Sequence, residues 1–110
     1  MEAKKYQTFK EFYPFYLSQH SNKTNRILHF IGTLLVILLI TASIFSNQHR
    51  LAYFIPLMGY GFAWVGHFFF EKNRPATFTY PLWSLFSDFL MFYHIISGQI
   101  SKKMELIEKP

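Results

Sequence analysis

Two long stretches of the chain carry no formal charge, and a third is nearly free of it. Residues 27–48 and 51–70 contain no Asp, Glu, Lys or Arg, and residues 78–100 contain only Asp88. Each of the first two matches the roughly 20 apolar residues that a helix needs to cross a bilayer. The pattern predicts an all-α integral membrane helical bundle, one domain over residues 1–110, with two to three membrane helices at 25–47, 51–71 and 80–98.

The segment before the first apolar stretch predicts a different kind of helix. Aromatic side chains at positions 6, 9, 12, 13, 15 and 16 are compatible with an apolar stripe at helical spacing. Pro14 would weaken or kink such a helix. We predict an amphipathic helix over residues 6–20 that lies on the membrane surface. The turn and capping residues at 21–24 end it, and the first membrane helix begins near Asn25.

Charge and cysteine content narrow the class of protein further. The chain has 110 residues, a net charge of +5 and no cysteine, so disulfides and thiolate metal sites are excluded. Basic residues flank the first two stretches on their outer sides, and only Arg50 lies between them; the flanking ones are Lys4, Lys5, Lys10, Lys23, Arg26, Lys72 and Arg74. This asymmetry predicts a cytoplasmic N-terminus. No basic stripe with interleaved aromatics is present, so we expect no nucleic-acid partner. A cleavable signal peptide is not expected either.

The five histidines fall into two groups once the helices are placed. The short connection at 47–50 predicts an antiparallel hairpin, which puts His29 and His67 at nearly the same depth. The break at 21–24 lets His20 fold back towards them. His49 is expected at the opposite face of the membrane, and His94 too deep in the third helix to join. Three histidines are therefore predicted to converge.

Ionisable groups at the margin of a membrane span are functional candidates by default. We predict that His20, His29 and His67 bind a metal, and imidazole together with carboxylate suits iron or zinc. Glu71 lies four residues after His67, so it shares a helix face and is a candidate ligand, orienting group or base. Asn25 lies four residues before His29 and is a candidate hydrogen-bond partner for the free ring nitrogen of that ligand.

Two charged residues each have two possible roles. Asp88 lies inside the third helix, where it is either a catalytic group or the partner of a structural ion pair. Arg26, beside Asn25, either supports the site by anchoring a phosphate or carboxylate, or only sets the membrane topology. The whole cluster has a structural alternative as well, in which its polar groups reach the interface and bind only one another.

Two strings of the sequence resemble the hallmark motifs of one family. The strings run from His20 to Gly32 and from Gly66 to Ala76. They are similar to those of the small membrane protein family that includes the fungal 2-hydroxy fatty acid dioxygenase, and the resemblance covers about residues 12–98. Fungal members belong to the endoplasmic reticulum and shorten a 2-hydroxy fatty acid by one carbon in sphingoid-base breakdown.

The resemblance implies an iron(II) cofactor, dioxygen as co-substrate and a fatty-acid substrate held in lipid. His20, His29 and His67 match the family histidines, and Glu71 matches its glutamate. The substrate would chelate iron through its carboxylate and 2-hydroxyl. Two departures are visible: Phe70 stands where the fungal motif has a further histidine, and Leu90 ends a string that reads Gly-Asp-Phe-Arg in many short bacterial-type members.

The resulting hypothesis is an iron(II)-dependent oxidative shortening of a 2-hydroxy fatty acid or related lipid, in a bacterial inner membrane or a eukaryotic endoplasmic reticulum. Two other classes stay open: a non-enzymatic protein whose cluster binds a lipid headgroup, and a structural protein whose cluster locks the hairpin. The sequence fixes no oligomeric state. A fully crossing third helix would place Lys102 and Lys103 outside, and a break near Ser97–Gly98 would remove that conflict.

Overall fold

The computed structural model describes residues 6–108, and this part of the chain is helical with no strand. Five α-helices follow one another: α1 (Phe9–Ser18), α2 (Lys23–Phe45), α3 (Ile55–Val65), α4 (Pro81–Ile96) and α5 (Ile100–Glu108). A 3₁₀ helix (His49–Phe54) precedes α3, a π-helix (Gly66–Glu71) continues α3, and a 3₁₀ turn (Ala76–Phe78) precedes α4. The predicted all-α class is confirmed. Lys4 and Lys5 lie outside the described residues.

The first two helices begin where side chains cap them. The Thr8 hydroxyl accepts a hydrogen bond from the Glu11 backbone N–H at 3.2 Å, so α1 starts at Phe9. The Asn22 side chain accepts from the N–H groups of Thr24 and Asn25, so α2 starts at Lys23, two residues earlier than predicted. The Asn22 cap ends the turn between α1 and α2, where His20 lies.

The hairpin of α2 and α3 depends on small residues that let the two backbones approach. A Cβ added at Gly32 would lie 3.0 Å from the carbonyl oxygen of Met58 and 3.1 Å from the Cβ of Phe62. A Cβ added at Gly66 would lie 1.9 Å from the Asn25 side-chain oxygen. Asn25 near the start of α2 contacts Gly66 just after α3, and Gly32 further along α2 contacts Met58 and Phe62 earlier in α3. The two helices are therefore antiparallel, as the short connection predicts.

The aromatic face of α1 forms the core of the molecule. Phe12, Tyr16 and Leu17 are at most 2% exposed, and they pack with Met91 of α4 and Met104 of α5. The predicted surface helix is therefore shorter than residues 6–20 and has one face buried by protein. The sequence did not predict α5, but α4 ends at Ile96 and a turn at Gly98, with φ of +78°, returns the chain towards α1.

One α-helix among residues 6–108, α2, is long and apolar enough to cross a membrane by length and composition. The second predicted span is helical from His49 to Glu71, but it changes from 3₁₀ to α to π along the way. The third, α4, has 16 residues. A bundle with two or three membrane helices therefore stays a prediction.

Candidate metal centre

Three histidines from three different elements meet in the interior. His20 follows α1, His29 lies in the second turn of α2, and His67 lies in the π-helix. Their ligand nitrogens lie within 4.8 Å of one another, and the three side chains are 0%, 4% and 2% exposed. The Nε2 atoms of His20 and His29 are 3.0 Å apart. Metal–nitrogen bonds of ~2.0–2.1 Å place two ligands of one ion roughly 3.0–3.5 Å apart, so the residues fit a single metal ion.

In His20 and His29, oxygen atoms next to Nδ1 determine which ring nitrogen is free to bind a metal. The His20 Nδ1–H donates to the backbone carbonyl of Tyr16 at 2.6 Å. The His29 Nδ1–H donates to both oxygens of Asn25, the side-chain oxygen at 3.1 Å and the carbonyl at 3.2 Å. Because these oxygens only accept, the proton of each neutral ring lies on Nδ1 and the Nε2 lone pair is available.

The third ring is oriented in the same way by a residue that follows the π-helix. The His67 Nδ1–H donates to the side-chain oxygen of Asn73 at 2.7 Å. The Asn73 amide donates in turn to the carbonyl and side-chain oxygens of Gln19, both at 3.1 Å. Asn73 therefore ties the ring of His67 to the end of α1, and hydrogen bonds behind a ligand of this kind are typical of metal sites.

The arrangement favours a cation at the centre of the cluster. Two nitrogen lone pairs 3.0 Å apart repel each other unless a positive charge lies between them. Burial lowers the pKa of His20 well below its usual range, and the neighbouring His29 and His67 lower it further. Because proton uptake by His20 is disfavoured, a metal ion is the cation that this geometry suits.

Two charged residues from the sequence analysis hold the turn that carries His20. Arg26 Nη1 donates to the backbone carbonyls of His20 at 2.7 Å and Ser21 at 2.9 Å. The Glu71 carboxylate accepts from the Ser21 hydroxyl at 3.1 Å and from the backbone N–H of Asn22. That N–H belongs to the capping residue of α2, where the helix dipole attracts a carboxylate. In this structure both side chains position His20 from outside the cluster, and a catalytic role for Glu71 stays a prediction.

Asp88 approaches the cluster from α4, next to a small cavity. The cavity has a volume of about 20 Å³, room for about one water molecule, and is lined by Asp88, Tyr16 and the three histidines among others. The Tyr16 hydroxyl donates to the Asp88 carboxylate. Burial raises the pKa of Tyr16 well above its usual range, and the Asp88 charge raises it further, so the phenol stays a donor.

A larger, apolar cavity continues from the small one between α2, α3 and α4. Its volume is about 210 Å³. Both cavities are lined by His29, Tyr60 and Asp88. The residues that line only the larger one are mostly apolar or small and lie further from the histidines: Thr33, Val36, Ile55, Pro56, Gly59, Leu85 and Phe89. The histidine cluster therefore lies at the head of an apolar groove.

The remaining two histidines do not join the cluster. His49 lies exposed at the start of the 3₁₀ helix before α3. His94 is buried, with its Nδ1 2.7 Å from the Tyr13 hydroxyl on α1. Sequence analysis also missed two residues behind the ligands. Tyr16 precedes His20 by four residues, the same spacing that pointed to Asn25, and Asn73 lies within the second motif.

The fold and the site together define a small helical protein with three buried histidines that could hold a metal ion. The chain belongs to the family whose model is described as 2-hydroxy-palmitic acid dioxygenase Mpo1-like, which matches residues 6–100. This confirms the family resemblance carried by the two motifs. No curated protein and no solved structure gives a significant match.

Proposed function

We propose that this protein is a membrane-embedded, iron(II)-dependent dioxygenase that shortens 2-hydroxy fatty acids by one carbon. The observation that carries the proposal is the set of three buried histidines, each with Nδ1 bonded to an oxygen and Nε2 free, at the head of an apolar groove. The family name supports the reaction and the substrate class.

The metal would be held by His20, His29 and His67. Three neutral imidazoles leave coordination positions open for oxygen ligands, and bound iron(II) would supply the one-electron chemistry that dioxygen requires. The protein supplies the rest of the environment. It holds three rings in one tautomer and excludes bulk water, since all three are at most 4% exposed.

The proposed reaction balances with dioxygen alone. A 2-hydroxy acid and one O₂ give the acid one carbon shorter, carbon dioxide and water. The bond between the carboxyl carbon and the hydroxyl-bearing carbon breaks, the substrate loses four electrons, and O₂ accepts all four. No further reductant is required.

Asp88 is the carboxylate that lines both the small cavity and the apolar groove. We assign it the role of accepting the proton of the substrate 2-hydroxyl, because Tyr16 already donates to one of its oxygens and holds it in place. The acyl chain would lie along Val36, Gly59 and Leu85, away from the histidines. Glu71 would act indirectly, through the turn that carries His20.

Membrane embedding is supported by the distribution of side chains on α2. Its buried face is small or polar at most positions, with Gly32, Thr33 and Ser43, whereas large apolar residues face outward. These outward residues include Ile27, Ile31, Leu34, Leu38, Ile44 and Phe45. A surface of this kind suits lipid better than water. The distribution of basic residues supports a cytoplasmic position for the histidine end of the bundle.

The experiment that tests the function supplies the purified protein with iron(II), air and 2-hydroxypalmitic acid, and measures pentadecanoic acid by gas chromatography alongside oxygen uptake. We expect one molecule of the shorter acid for each O₂ consumed. His67→Ala should abolish the product, because it removes a ligand. His49→Ala, at an exposed position outside the cluster, is the matched control and should retain it.

The proposal fails if iron-loaded protein consumes no 2-hydroxypalmitic acid, or if His49→Ala and His67→Ala lower product formation equally. Oxygen uptake without the shorter acid would also count against it, because it would show metal chemistry uncoupled from the proposed substrate.

A further inference from the structure

Two polar groups that the proposed reaction does not use line the small cavity next to the histidines. Trp64, on α3, and Ser84, on α4, are among the residues that line this cavity, and the groups are the indole nitrogen of the first and the hydroxyl of the second. Both atoms are buried, and neither has a hydrogen-bond partner among the described residues. Ser84 as a whole is 3% exposed. A buried polar group without a partner is costly, so two of them in one cavity point to a ligand that satisfies both.

The chemistry of the two groups specifies what kind of ligand atom they would bind. An indole N–H can only donate, and a serine hydroxyl can donate while it rotates to suit its partner. Ser84 lies in the first turn of α4, whose N-terminus carries partial positive charge. The Trp64 ring packs against Phe78, 5.5 Å between centroids, in the short turn that leads into α4. Two donors beside a helix N-terminus suit an anionic oxygen.

We propose that Trp64 and Ser84 form the subsite that binds the carboxylate of the fatty-acid substrate. The identity of the ligand rests on the proposed function, whereas the subsite itself rests on the two unpartnered groups. One carboxylate oxygen, about the size of the single water molecule for which the cavity has room, accepts hydrogen bonds from Trp64 and Ser84. The 2-hydroxyl donates to Asp88, which lies one helical turn further along the same face of α4 as Ser84.

The position of the subsite also sets the direction of the substrate. Trp64 and Ser84 line only the small cavity, whereas Gly59 and Leu85 line only the apolar groove, with Asp88 between the two. A fatty acid with its carboxylate at Trp64 therefore has its 2-carbon beside the histidines and its chain in the groove. The donors Trp64 and Ser84 suit a carboxylate, the acceptor Asp88 suits a 2-hydroxyl, and the groove suits an acyl chain. A site with this order selects a 2-hydroxy acid over an alcohol or a diol of equal length.

The test measures binding rather than turnover. The full chain in detergent micelles, without oxygen, is titrated with 2-hydroxydecanoic acid and, separately, with 1,2-decanediol, which lacks the carboxylate. We expect Trp64→Phe and Ser84→Ala each to weaken binding of the acid by about tenfold or more, as loss of a hydrogen bond to a charged group predicts. Binding of the diol should change by about threefold or less, since its uncharged 1-hydroxyl forms only weaker, neutral hydrogen bonds with these residues.

The chain offers a matched control for each variant. Trp83→Phe replaces the other tryptophan, which packs against Phe12 and Tyr80 instead of the small cavity. Ser87→Ala removes another buried hydroxyl without a partner among the described residues, outside the lining of that cavity. Both controls should bind the acid as the wild type does, and circular dichroism verifies the fold of all four variants.

The inference is overturned if Trp64→Phe and Ser84→Ala weaken acid and diol equally, or no more than their controls do. It can also be separated from the proposed function. A protein that binds the acid through these residues but never shortens it would keep the subsite and refute the dioxygenase. If the wild type shortens the acid and both variants do so with unchanged KM, the dioxygenase function stands and the carboxylate subsite is refuted.

Discussion

At the scale of single residues, the site is defined by which nitrogen of each ring is occupied. Tyr16, Asn25 and Asn73 each present an oxygen to the Nδ1 of one histidine. Fixing the tautomer of all three rings leaves three lone pairs directed at one region before any metal arrives. This preorganisation is what separates a ligand set from three buried histidines that merely bind their neighbours.

The hydrogen bond from His29 to the Asn25 side chain can be tested by substituting Asn25. Asn25→Asp keeps an accepting oxygen, and the amide nitrogen it replaces has no partner among the described residues. Asn25→Leu removes the side-chain acceptor and leaves only the backbone carbonyl, 3.2 Å from the His29 Nδ1. We expect the leucine variant to bind cobalt(II) about 10–100-fold more weakly and the aspartate variant to bind close to normally, by absorption titration. Equal affinities in the two variants would show that the ring does not need the side-chain oxygen in addition to the backbone carbonyl.

The histidine at the end of α1 predicts a dependence of stability on pH. Burial holds the pKa of His20 well below 6.5 in the folded protein. As the pH falls below 6.5, this histidine therefore takes up a proton in the unfolded chain but not in the folded one, which favours unfolding. The metal-free protein should therefore be most stable above pH 6.5 and lose stability below it. His20→Leu should reduce this slope by up to about 1.4 kcal/mol per pH unit in denaturant titrations. The result would be contradicted by an unchanged slope in His20→Leu, and His49→Leu serves as the exposed control.

At the scale of elements, the centre depends on how closely α3 and its π-helical extension approach α2. Gly66 begins the π-helix and packs against Asn25. A π-helix within a helical run is a frequent feature of functional sites, and here it carries His67. The π-helix thus supplies the ligand His67 and also packs against Asn25, the hydrogen-bond partner of His29.

Adding one methyl group should disturb this contact. In Gly66→Ala the new Cβ would lie 1.9 Å from the Asn25 side-chain oxygen, so Asn25 must move and release His29. We expect weaker cobalt(II) binding and a loss of about 1–3 kcal/mol of stability. In Gly61→Ala, the matched control on α3, the added atom meets no described atom within 4 Å. Equal effects of the two substitutions would refute the packing argument.

Much of this geometry could be predicted from the sequence, and the rest could not for physical reasons. Charge-free runs and a short connection were enough to predict the hairpin, and hence the approach of His29 to His67. The π-helix and Asn73 were missed because helix type and loop contacts are decided by tertiary packing, which local spacing does not encode. The helix α5 was missed because its polar, charged sequence resembles an exposed tail until it packs on α1.

At the scale of the whole molecule, α2 and α4 expose large apolar side chains on their outer faces and bury several small polar ones between the helices. Leu38 is 54% exposed and Leu82 is 78% exposed, whereas Ser84, Ser87 and Thr33 are buried. We expect the protein to remain in the membrane pellet after an alkaline carbonate wash. Its release into the supernatant would contradict membrane embedding.

A charge placed on that outer surface should interfere with insertion. Leu38→Lys puts an ammonium near the middle of α2, at a cost of about 2.5–3.5 kcal/mol in a bilayer. We expect less of this variant in the membrane fraction, measured by immunoblotting. Glu105→Lys, at an exposed position on α5, should partition normally. Normal partitioning of Leu38→Lys would mean that this surface of α2 does not face lipid.

The proposed function requires one metal ion bound by three histidines. The most direct measurement is the iron content of protein loaded with iron(II) and desalted without oxygen. We predict one iron per chain in the wild type and in His49→Ala, and close to none in His20→Ala, His29→Ala and His67→Ala. Iron that survives these three substitutions, or a wild-type protein that binds none, would contradict the account.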